Sequence, residues 1–167
     1  MSRAERIAFR PAARADLGLL AEWLETPHVR RWWGDPAEAI ASIDEHLDGY
    51  QVEAFMVALD GKDFAFIQSA DLGKEEDQAL ADQPAATFGI DQFIGPVSMT
   101  GRGYGPAFMR LFCTRLFDRG ARRILVDPHP ENAIAIRAYA KAGFAELGEA
   151  TTNYGRALLM ALDRQEK

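Results

Sequence analysis

The chain has 167 residues, 48% hydrophobic and 26% charged, with a net charge of −6 and one cysteine. That length predicts a single domain, residues 1–167, burying about two-thirds of its unfolded surface. The charge argues against nucleic acid as the principal partner, because phosphate backbones are held by clustered Lys and Arg, and the lone Cys113 rules out an intrachain disulfide.

No apolar run reaches the roughly 20 residues of a membrane span, and residues 1–6 lack the apolar core of a secretory signal. A cytoplasmic location is expected, with no membrane partner. Monomer and homodimer are both compatible with the sequence. The acids are unevenly placed: residues 71–82 hold Asp71, Glu75, Glu76, Asp77 and Asp82 against Lys74 alone. Such a segment reads either as a solvated loop or as a surface that meets a cationic small molecule.

In chain order, residues 7–10 read as a first strand, ended by Pro11. Leu17, Leu20, Ala21 and Leu24 then recur at helical spacing. A short aromatic-rich turn or helix carries Trp32 and Trp33, and Asp35-Pro36 starts a helix that is expected to reach Gly49. Residues 53–59 and 62–70, joined by Asp60-Gly61, form the clearest hairpin.

Beyond the acidic segment, residues 85–93 read as a strand, broken by Gly95-Pro96. The loop Thr100-Gly101-Arg102-Gly103-Tyr104-Gly105-Pro106 leads into a helix with Phe108, Leu111, Phe112, Leu116 and Phe117 on one face, closed by Gly120. Cys113 falls within that helix and reads as an apolar core residue. Residues 122–126 form a short buried strand, followed by the rigid turn Asp127-Pro128-His129-Pro130. A helix over residues 131–142 and two last strands, about 144–150 and 154–162, complete the chain.

Closely spaced glycines between a strand and a helix let backbone N–H groups approach a phosphate at the positive end of the helix. The loop lacks the Gly-Lys-Ser/Thr ending of an NTPase loop. Pro106 also stands where a dinucleotide fingerprint needs its third glycine. Asp91 is the candidate base: a strand acid that binds an ammonium and takes its proton as a new bond forms.

The Gly-rich loop, followed by Asn132, Tyr139, Lys141, Gly143 and Phe144 on the next helix, resembles the GNAT superfamily of acyl-CoA-dependent N-acetyltransferases. The resemblance implies an α+β fold with a mixed, mostly antiparallel sheet of six to seven strands, flanked by helices and splayed at the cofactor cleft. It implies acetyl-CoA as acetyl donor and no metal. Gly101, Arg102, Gly103, Tyr104 and Gly105 would hold the pyrophosphate, and Gln92, Phe93 and Ile94 would offer backbone N–H groups to the cofactor and to the oxyanion. Asn132 would contact the pantetheine arm, and Tyr139 would protonate the leaving thiolate. Thr100 departs from the usual Gln or Arg, which removes a possible polar contact and leaves the backbone cradle.

Gly89-Ile90-Asp91-Gln92, the Asp127-Pro128-x-Pro130-x-Asn132 turn, His28-Val29-x-x-Trp32-Trp33-Gly34 and Thr151-Thr152-x-x-Gly155 resemble the aminoglycoside 6′-N-acetyltransferase branch over about residues 23–160. That branch implies Asp91 as general base, Asp127 as a contact to the antibiotic's amines, and Trp32 and Trp33 as pocket walls. The function implied is direct acetyl transfer to a primary amine of a cationic small molecule, the 6′-amine of an aminoglycoside. A sister branch that acylates N6-hydroxylysine in siderophore biosynthesis shares the loop and the Trp-Trp segment. Its members set a His just before the strand acid, and Phe88-Gly89-Ile90 has none. Other amine or protein N-acetyltransferases, and a non-catalytic CoA-binding module, remain alternatives on this fold.

Overall fold

The computed structural model describes residues 2–49 and 51–166. Its strands are β1 (Ile7–Pro11), β2 (Val52–Leu59), β3 (Lys62–Asp71), β4 (Thr87–Ile94), β5 (Arg123–Val126), β6 (Ala145–Thr152) and β7 (Gly155–Asp163). They form one open mixed sheet in the order β1-β2-β3-β4-β5-β7-β6. The helices are α1 (Arg3–Arg6), α2 (Leu17–Glu25), α3 (Pro27–Trp33), α4 (Pro36–Leu47), α5 (Gln78–Ala81), α6 (Tyr104–Asp118) and α7 (Ala133–Ala142). The seven-stranded α+β sheet is the arrangement the resemblance implies. Two short helices, α1 and α5, have no counterpart in the sequence reading, because four residues give no periodicity to detect.

The chain divides into two compact units. One holds the described residues up to Ser69 together with Asp91–Gly105; the other holds Ala70–Ile90 and the described residues from Pro106 onward. In the first unit β1 runs antiparallel to β2, from Ile7 opposite Leu59 to Pro11 opposite Phe55. Asp60 and Gly61 join β2 to β3 with φ of 50° and 81°. Both lie in the left-handed region, which a two-residue turn matched to strand twist requires. Leu20, Trp23 and Leu24 of α2, Val29 of α3 and Ile43 of α4 pack with Met56, Phe66 and Phe93 into one core. Asp35 opens α4 by accepting the Ala37 N–H at 2.9 Å, with Pro36 in the first turn where no helical N–H is needed.

In the second unit β4 and β5 pair in parallel over three residues, Thr87, Phe88 and Gly89 opposite Arg123, Ile124 and Leu125. The pairing stops there, although β4 continues to Ile94. β7 runs antiparallel to both β5 and β6, and the β6–β7 ladder shifts register between Glu146 and Gly148. Leu72, Leu80, Leu125, Ala157, Leu159 and Ala161 form a core cluster. α6 buries Phe108, Met109, Phe112, Cys113 and Leu116, the i, i+4 rows of one helical face. Burial pushes the Cys113 thiol up to about 12, in keeping with an inert core residue. Asn132 caps α7 through the Ala135 N–H at 3.2 Å, and Gly143 closes it at φ 106°.

Candidate active site

Asp91 lies in the β4 segment that belongs to the first unit. Gln68, on β3, donates from Nε2 to Asp91 Oδ2 at 3.5 Å. The Asp91 side chain retains solvent-accessible surface, yet protein atoms crowd its carboxylate closely enough that burial raises its pKa. By its surface Asp91 is an exposed residue of the strand end, so the rise reflects close packing around the carboxylate and not enclosure of the whole side chain. The Gln68 hydrogen bond and the charge of His46, on α4, oppose that rise.

The surroundings are incompletely satisfied. Gln68 Oε1 and His46 Nδ1 are buried without a hydrogen-bond partner. Orphaned buried polar atoms are uncommon, and here two accompany a crowded carboxylate. Such a cluster suits a polar ligand that brings its own donors.

The end of β4 is held from several directions within the same unit. His28 of α3 donates from Nε2 to the Ile94 carbonyl at 2.9 Å, and the Gly95 N–H donates to the Phe64 carbonyl at 2.8 Å. Phe93 is buried, stacked on Phe66 with centroids 5.4 Å apart and met edge-on by Trp33 at 5.0 Å. Trp33 is thus tied into the aromatic core by one side while remaining partly exposed. Trp32 is also partly exposed and lies under the Arg31 guanidinium at 4.8 Å. At Gly95 a β-carbon would stand 2.1 Å from Trp23 Cδ2, so no side chain fits. These contacts fix the peptides of Gln92, Phe93 and Ile94 on a rigid strand end.

Further along this unit, Gly101 and Gly103 adopt φ of 70° and 84°, left-handed values that a bulky side chain resists. The loop runs directly into α6, whose first turn begins at Tyr104. Gly105 is buried, whereas Arg102 is exposed and pairs with no acid among the described residues. Free N–H groups of a first helical turn, two backbone positions that tolerate close approach and a free guanidinium suit a pyrophosphate. The residues present therefore fit an acyl-CoA donor.

The second unit carries the remaining candidates. Tyr139, on α7, is 6% exposed and meets Phe144 edge-to-face at 5.6 Å. Asn132 serves as the helix cap described above, and Asp127 is half-buried at the end of β5. His129 accepts the Glu131 N–H through Nδ1 at 3.1 Å.

The acidic segment is less uniform than its composition suggests. Asp77 is 6% exposed and accepts the Ala79 N–H at 3.1 Å and the Asn153 N–H at 2.7 Å, capping α5 and fastening the segment to the β6–β7 turn. Asp71 accepts the Gly73 N–H, and Glu75 accepts the N–H groups of Glu76 and Asp77. Glu76 and Asp82 are exposed and have no such internal task among the described residues.

Gln68 and His46 had no place in the sequence reading of the site, and His28 entered it only as part of the Trp32-Trp33 motif, without a role of its own. The one available signal for Gln68 was a polar residue closing the apolar run from Phe64 to Ile67. Its partnership with Asp91 follows from strand register across a connection long enough to leave that register open.

Residues 12–152 match the family model described as an acetyltransferase (GNAT) domain. The chain is 32% identical, over 96% of its length and 85% of the relative's, to the aminoglycoside N(6′)-acetyltransferase type 1 of Klebsiella pneumoniae. The crystal structure of the aminoglycoside acetyltransferase AAC(6′)-Ib with coenzyme A and kanamycin aligns with a TM-score of 0.85. It is 31% identical, and the alignment covers 95% of each chain. A lysine N-acyltransferase, MbtK, of Mycolicibacterium paratuberculosis is 28% identical over 93% of this chain and 73% of its own.

Proposed function

The chain belongs to the GNAT family of acetyltransferases, and we propose that it moves acetyl from acetyl-CoA to the 6′-amine of an aminoglycoside. The observation that supports this reading best is Asp91: a carboxylate crowded by protein, still open to solvent, with buried unpaired polar atoms beside it. A cationic amine supplies what that cluster lacks. Asp91 accepts one ammonium N–H, and Gln68 steadies the carboxylate from the neighbouring strand.

At pH 7 an alkylammonium costs about 4 kcal/mol to deprotonate. Asp91 lowers that cost by holding the cation and accepting its proton as nitrogen attacks the thioester carbonyl. Backbone N–H groups of Gln92 and Ile94, which share one edge of the strand, receive the developing oxyanion, and the rigid anchoring through Phe93 between them keeps reorganisation small. As the C–S bond breaks, the Tyr139 hydroxyl gives its proton to the thiolate. The loop from Gly101 to Gly105, with Arg102, holds the donor's pyrophosphate, and Asn132 its pantetheine arm. Trp32 and Trp33 offer apolar faces to the sugar rings, while Asp127, Glu76 and Asp82 meet the remaining ammonium groups. The reaction is direct, without an acyl-enzyme, and its setting is the cytoplasm.

The MbtK relative favours one second reading, acylation of a lysine-type side-chain amine. Acetyl-CoA-dependent thiol release separates the two. We expect saturable release with kanamycin and none with N6-hydroxylysine. Release with hydroxylysine alone would establish the second reading, and silence with both would refute each acceptor. The Cys113 background in this assay is small, because that thiol is buried and its pKa is raised to about 12.

A further inference from the structure

Helix α1 is a single turn fastened by a reciprocal cap. Glu5 N–H donates to Ser2 Oγ at 3.4 Å, and Ser2 N–H donates to Glu5 Oε2 at 2.6 Å. Residues three apart on one turn share a face, which puts Arg3 and Arg6 on the same side. Arg6 is already committed. Its Nε lies 3.0 Å from each carboxylate oxygen of Asp60, in the turn between β2 and β3.

Arg3 is placed differently. Its guanidinium carbon lies 5.5 Å from the centroid of the Tyr104 ring, and that ring rests on Phe64 at 5.8 Å. A β-carbon on Gly103 would stand 2.6 Å from Arg3 Nη1, so the guanidinium occupies the space that the glycine leaves beside the loop. Among the described residues no carboxylate or carbonyl accepts its N–H groups, and the side chain is exposed. Stacking on an aromatic face uses the flat of a guanidinium and leaves its edge donors available. Arg102, on the same loop, is likewise exposed and has no described ion-pair partner. In a chain of net charge −6, two unpaired cations at one glycine loop mark a site for an anion.

We propose that Arg3 is a ligand of the acyl donor's pyrophosphate, carried to the glycine loop by the N-terminal turn and seated on Tyr104 in the gap left by Gly103. The inference rests on the reading that this loop holds acetyl-CoA. It gives Tyr104 a role as the platform for the cation. It also makes the first turn of the chain part of the donor site, although more than ninety residues of sequence separate the two.

The test is calorimetric binding of CoA, 3′-dephospho-CoA and pantetheine to the wild-type chain, Arg3→Ala and Arg3→Lys. In Arg3→Ala the Kd for CoA rises roughly tenfold, as for loss of a charge-assisted hydrogen bond at an accessible site. Dephospho-CoA shows the same rise, pantetheine shows none, and Arg3→Lys falls between. An unchanged melting temperature of the ligand-free variants establishes that the fold is intact, as an exposed side chain predicts.

Equal Kd values for CoA in Arg3→Ala and wild type would overturn the proposal and leave the loop's role standing. So would an equal loss for pantetheine, which has no phosphate. A loss confined to CoA and absent for dephospho-CoA would assign Arg3 to the 3′-phosphate and overturn the pyrophosphate assignment. Failure of the wild-type chain to bind CoA would overturn the underlying reading together with this one.

Discussion

The Asp91 carboxylate stands 3.5 Å from the side-chain amide of Gln68, whose own oxygen is buried and unpartnered. One amide therefore meets the carboxylate through its nitrogen and leaves its oxygen buried beside it. Burial raises the Asp91 pKa, and the folded chain holds a proton there more tightly than the unfolded chain does. The stability from that site is complete below the ordinary carboxylate value of 3.8 and is lost as pH rises through the raised one. Asp91→Asn should lower acetyl transfer by about 10²- to 10⁴-fold, with acetyl-CoA affinity retained. Its melting temperature should match or exceed that of the wild type at neutral pH, by a margin that grows from about pH 4 upward. A variant that melts earlier at pH 8, or keeps its activity, contradicts the assignment.

Gln68 and His46 both hold the Asp91 pKa down against burial. Asp44 on α4 and Asp48 just beyond its end pair with Arg14, and the charge of His46 acts to lower the Asp91 pKa. His46→Gln and Gln68→Leu should each move the acidic limb of kcat/KM to higher pH. Rate profiles across pH 5 to 9 decide this, and an unmoved limb in both variants removes the two residues from the site.

Gly95 has no room for a methyl group, because the ring it would strike belongs to Trp23, a core residue that is 7% exposed. Gly95→Ala should cost about 3 kcal/mol, measured by chemical denaturation, since the overpacked ring has nowhere to retreat. The strand end that carries the oxyanion donors should loosen with it. A cost near zero would mean that Trp23 repacks freely.

The acids of residues 71–82 should separate into two behaviours. Asp77→Ala leaves two backbone N–H groups without their partner and should destabilise the fold by about 2 kcal/mol. Glu76→Gln and Asp82→Asn should leave stability unchanged and raise KM for a polycationic acceptor by roughly threefold each. Matching melting curves for all three variants would refute the division.

Tyr139→Phe preserves the ring that packs on Phe144 and deletes only the hydroxyl. The expected outcome is a kcat about 10²-fold lower with KM for acetyl-CoA unchanged. Full activity would assign Tyr139 to packing alone.

Much of the fold was readable from local patterns, because turns and helix ends are decided by neighbouring residues. Asp60-Gly61 specifies its hairpin through two left-handed positions. Asp35-Pro36 and Gly120 mark the helix ends where they occur, and the spacing of Phe108, Phe112 and Leu116 sets the buried face of α6. The glycine loop and the Asp91 strand were legible for the same reason, as contiguous motifs. Tertiary structure alone brought Gln68 and His46 to Asp91, tied His28 to the Ile94 carbonyl, turned Asp77 inward and laid Arg3 over Tyr104. Each of those contacts joins residues far apart in the chain. Their approach depends on strand register, helix packing and loop closure, which no local propensity encodes.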